Sequence, residues 1–121
     1  MVLRDDRSLV IAVRVGDTKL RVRGECVTAF DEDWLLVLAP VLVEECARLR
    51  DALALNMRLA LSALAIEQGW LVLRATQPLA RLDERTIART IEHVAQEALR
   101  LRSLHPTEPT DAEQAFSHFG E

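Results

Sequence analysis

The groups in this 121-residue chain that could do chemistry are few: His93, His105 and His118, Cys26 and Cys46, and the acidic run Asp31-Glu32-Asp33. A histidine working as a general base needs a nucleophile or a carboxylate held beside it. His93 falls on the exposed side of a helical pattern, one turn before Glu97, which suits a solvated surface pair. His105 precedes Pro106 in a connecting segment and His118 stands in the C-terminal tail, so none of the three marks a catalytic centre. The two cysteines are far apart, and neither a Cys-x-x-Cys nor a His-x-x-x-His spacing occurs, which argues against zinc. They read as reduced thiols, one in a strand and one on an apolar helix face; a disulfide between them has no support of its own. Asp31, Glu32 and Asp33 lack the ligand spacing of a calcium loop and read as a solvated turn. The glycines Gly16, Gly24, Gly69 and Gly120 are scattered turn residues, not a phosphate cradle. The sequence predicts no enzyme, no metal and no cofactor.

What remains is recognition chemistry. Lys19, Arg21 and Arg23 alternate with Leu20 and Val22 and share one face of a strand, which Arg14 extends. Such charge commonly keeps a strand soluble and guards it from edge-to-edge pairing; the functional alternative is contact with an acidic partner. Nucleic acid is not the expected partner, because the net charge is −4, the pI is about 5.4, and the aromatics do not interleave with these arginines. Trp34 and Trp70 each open a strand and suit core or interface packing better than ligand stacking. Phe116 and Phe119 lie with Ala112 and Ala115 on one face of a short helix that Thr110 and Glu113 would cap. A helix so short needs a surface to dock on: its own domain, a dimer mate or a foreign protein.

The elements that must position these groups are legible from hydropathy. Half of the residues are hydrophobic, enough for one core without staples. Leu9, Ile11, Val13 and Val15 alternate with Val10, Ala12 and Arg14, the period of a strand with one buried face, and Gly16-Asp17 turns it into a second strand. Gly24-Glu25 permits a bulge before Cys26–Phe30, and Trp34–Leu38 is a continuous apolar run read as a buried strand. Pro40 suits the first turn of a helix, and Leu42, Cys46, Leu49 and Leu53 would form its apolar stripe, with Asn56 as the stop. Residues 58–66 read as a strand, although their Leu-Ala content also supports helix. Gln68-Gly69 turns into a strand at Trp70–Ala75. Asp83 is placed as an N-cap for a long helix striped by Ile87, Ile91, Val94, Ala98 and Leu101, which ends near Leu104.

The order β-β-β-α-β-β-α predicts an α+β fold: an antiparallel sheet of about five strands with two helices, forming one domain over residues 1–104. Residues 105–121 follow as a linker and a short amphipathic tail helix. Met1–Ser8 carries Arg4, Asp5, Asp6 and Arg7 in place of an apolar stretch, and no run reaches the length of a membrane span. A cytoplasmic protein without membrane attachment is the expectation.

Trp34–Pro40 followed by a helical pattern, Leu53-Ala-Leu55-Asn56, Gly69–Leu73, Gln77-Pro-Leu79 and Leu82-Asp83 together resemble the class I type III secretion chaperones and the related YbjN-type domains. The resemblance covers about two-thirds of the chain and consists of turns and hydropathy patterns. The family usually begins with an amphipathic helix, where this chain has a strand at Leu9. The resemblance implies a non-catalytic homodimer formed through the helix matching residues 40–56. Val43, Cys46, Arg50, Leu53 and Ala54 are the dimer-interface candidates. Lys19, Arg21, Arg23, Phe116 and Phe119 are the candidates for holding a protein or peptide client, such as a secreted effector or a signalling protein. Two other readings compete: an oligomeric scaffold without a client, and a small-molecule enzyme or sensor, for which no residue marks a pocket.

Overall fold

The computed structural model describes residues 2–5, 8–104 and Phe119. Six strands form one antiparallel sheet: β1 (Val2–Asp5), β2 (Ser8–Val15), β3 (Thr18–Ala29), β4 (Glu32–Val43), β5 (Ala63–Glu67) and β6 (Trp70–Pro78), in the order β1-β2-β3-β4-β6-β5. Two helices join them, α1 (Leu49–Asn56) and α2 (Glu84–Ser103). The α+β class and the order of elements are those read from the sequence, with the short β1 added at the edge beside β2.

The main core lies between α2 and one face of the sheet. Val94, Ala98 and Leu101 of the anticipated stripe are fully buried, joined by Ala95, against Leu20, Val22, Val37, Ala39, Leu71 and Leu73. Asp83 caps α2 as expected: its carboxylate accepts the Thr86 N–H at 2.7 Å, and this bond holds its pKa below the ordinary 3.8.

The expected helix over residues 40–56 is corrected. β4 runs through Pro40 to Val43, a 3-10 turn follows at Glu44–Cys46, and α1 begins only at Leu49. The strand accommodates proline because it is bulged there. Pro40 pairs with Val72 and Leu42 with Leu71, leaving Val41 as the extra residue. Arg102 of α2 reaches back to this bulge, donating Nη2 to the Pro40 carbonyl at 2.8 Å and Nε to the Val41 carbonyl at 3.3 Å. Burial lowers the Arg102 pKa to about 10, which still leaves it charged at neutral pH. The stripe from Leu42 to Leu53 is therefore divided: Leu42 is core, whereas Leu49 and Leu53 face outward and Ala52 is the buried residue of α1. Residues 58–62 are a connection, and the next strand starts at Ala63. β3 passes Gly24 without a break and turns at Phe30-Asp31, both with positive φ (52° and 61°), into β4.

Candidate partner-binding surfaces

Two surfaces stand out. The first is the free edge of the sheet at β5, beside α1. Leu49, Leu53 and Met57 succeed one another at helical spacing along α1 and its C-cap, and Leu53 and Met57 are 69% and 88% exposed. Ile66 of β5 is exposed next to them, and a hollow of about 200 Å³ lies between Leu49, Leu53, Leu64 and Ile66. Asn56 positions helix against strand. Its Nδ2 donates to the Leu64 carbonyl at 3.1 Å and its Oδ1 accepts the Leu64 N–H at 2.5 Å. The side chain thus replaces a neighbouring strand at Leu64, and by the two-residue period Ile66 is the next position whose backbone faces outward.

Of the dimer candidates, Arg50, Leu53 and Ala54 are exposed on α1. Val43 is instead half-buried at the end of β4, and Cys46 belongs to the 3-10 turn, so neither shares a helix face with the other three. Leu49, Met57 and Ile66 were missed. The sequence pattern places Leu49 on an apolar stripe whose register depends on a helix starting at Pro40.

The second surface is the sheet face turned away from α2. Strand pairing places Arg23, Leu38 and Arg74 in one row across it, with Val10 beside Arg23. Val10, expected on the solvated side of β2, is only 3% exposed, so this face is covered as well. Phe119 is one residue that covers it. It is 3% exposed, packs with Leu36, Leu38 and Val72, and meets Trp70 edge-to-face at 5.5 Å between ring centroids and 79° between planes. Phe116 and the rest of the anticipated tail helix lie outside the described residues.

The basic candidates share this face and differ in setting. Lys19 is exposed and Arg21 half-buried. Arg23 is not an outward cation: its side chain is 9% exposed and its Nη2 donates to Glu67 of β5. A flat sheet would set β3 and β5 three strand spacings, roughly 14 Å, apart. The ion pair therefore spans the two strands, β4 and β6, that lie between them. Arg23 Nε lies 3.4 Å from Glu25 Oε2 without a hydrogen bond to it, and among the described residues it has no hydrogen-bond partner. A buried donor of this kind is costly to leave unmet.

Elsewhere, Glu97 pairs with Arg100, whose guanidinium lowers its pKa; His93, the expected partner, adds a weaker pull in the same direction. Cys26 is half-buried on β3 and takes part in no disulfide. Among the described residues no group of three His, Cys, Asp or Glu side chains could hold a metal ion, and no helix is long and apolar enough to cross a membrane. A scan against protein-family models finds no match for the chain, and neither does a search of curated proteins.

Proposed function

We propose that this chain is a non-catalytic, dimeric adaptor of the chaperone type that holds a segment of a partner protein. The observation that carries this reading is the row Leu49, Leu53 and Met57 exposed beside Ile66 at the uncovered edge of β5. An apolar helix stripe along a strand whose outer edge has no partner strand among the described residues is the arrangement that protein–protein contacts use, through side-chain packing and strand addition. The residues give less support to an enzyme: where titratable groups do line a hollow, at Arg58, His93, Glu97 and Arg100, Glu97 and Arg100 are paired with each other. The second reading is an oligomeric scaffold without a client, which the same apolar stripe would serve.

Affinity capture of the wild-type chain and of a Leu53→Glu/Ile66→Glu variant separates the two. An adaptor retains one protein in near-stoichiometric amount, and the variant loses dimerisation. A scaffold oligomerises through the same residues and retains nothing, at low salt as well as high.

A further inference from the structure

We infer that the sheet face turned away from α2 is a binding site for an acidic peptide segment with an aromatic anchor, and that the chain's own C-terminal segment fills it in cis. This rests on the reading of the chain as a protein-binding adaptor and adds which face takes the client and what the client looks like.

Three observations converge on it. Phe119 already seats an aromatic ring against Trp70, Leu36, Leu38 and Val72. The stretch of sequence around this ring, residues 105–121, carries Glu108, Asp111, Glu113 and Glu121 and no Lys or Arg. With 19 acids and 15 Lys and Arg in the whole chain, residues 1–104 are left with fifteen of each, so the net charge of −4 belongs to this segment. The face on which Phe119 packs carries cations, with Glu67 and Glu25 against the buried one, Arg23. Lys19 and Arg74 are exposed on it, and Arg23 is buried in it with an Nε donor that no described residue accepts. A peptide carbonyl of a bound segment would give that donor a hydrogen-bond acceptor. A tethered segment acts at a high effective concentration, so a client must match this chemistry to displace it.

The test uses the full chain and a fluorescein-labelled synthetic peptide of residues 105–121. Phe119→Ala in the chain should open the face, and the variant should bind the peptide at least tenfold more tightly than the wild type. A peptide carrying the same Phe119→Ala change should not bind. Lys19→Glu/Arg74→Glu, introduced into the Phe119→Ala chain, should weaken binding about tenfold and flatten its salt dependence. Should Phe119→Ala fail to fold, Phe119→Leu, which keeps an apolar side chain but loses the ring contact with Trp70, is held to the same ranking.

Equal, weak binding by wild type and open variant would overturn the inference, as would affinity indifferent to salt and to the charge reversals. A wild-type dimer that becomes monomeric when Phe119 is replaced would also overturn it, because the tail would then be seated on a second copy. A wild type that captures a client while its open variant ignores the peptide sinks this inference alone and leaves the adaptor reading standing.

Discussion

Two side chains hold features of the fold that their neighbours in sequence do not explain, and a third strains it. Arg102 satisfies the Pro40 and Val41 carbonyls at the β4 bulge. Arg102→Met should keep the packing of its stem, strand two acceptors, and lower unfolding free energy by about 1–3 kcal/mol in urea melts. Asn56 clamps both backbone groups of Leu64, and Asn56→Ala should cost about 1–2 kcal/mol and speed hydrogen exchange at Leu64 in particular. Phe30 works in the opposite sense. It is 95% exposed at a positive φ that costs an L residue roughly 1 kcal/mol, so Phe30→Gly should raise the melting temperature. A lower melting temperature would show that Phe30 makes a contact in solution that outweighs its strain.

The strands and α2 were legible because each carries its own period: alternation in β2 and β3, and a stripe at spacings of four and three in α2 with its cap at Asp83. The cap also sets an acid response. The folded-state pKa of Asp83 lies below its ordinary value, so its stabilising contribution is present above the ordinary carboxylate range and is lost as pH falls through the folded value. Glu97 beside Arg100 acts in the same direction. Stability should therefore decline on acidification below about pH 4, and Asp83→Asn should flatten that decline; an unchanged profile would remove the cap from the account. The segment from Pro40 to Val43 reads locally as helix because what makes it a strand is distant. The bulge is paired by Leu71 and Val72 and satisfied by Arg102, and no local pattern announces either. Its apolar run and proline were equally good helix signals taken alone.

The fold as assembled has a sheet covered on both faces, by α2 on one and in part by Phe119 on the other, with β5 as an edge whose neighbours are apolar. That Phe119 needs a surface could be read from its place on a short amphipathic tail. Which surface it takes could not, since Trp70 and Leu38 are brought together only by the pairing of β4 with β6. Arg23 shows the same limit: its neighbours in sequence described a solvated basic strand, whereas Glu67, 44 residues away, draws it under cover. Leu49, Leu53, Met57 and Ile66 lie exposed together in one row, and we take that row to be an interface between two copies. Light scattering on the full chain at tens of micromolar tests it most directly. The expected result is twice the 13.6 kDa chain mass, reverting to the single mass in Leu53→Glu/Ile66→Glu with the circular dichroism spectrum unchanged. A wild type that remains at the single mass, or a variant that remains a dimer, would contradict it.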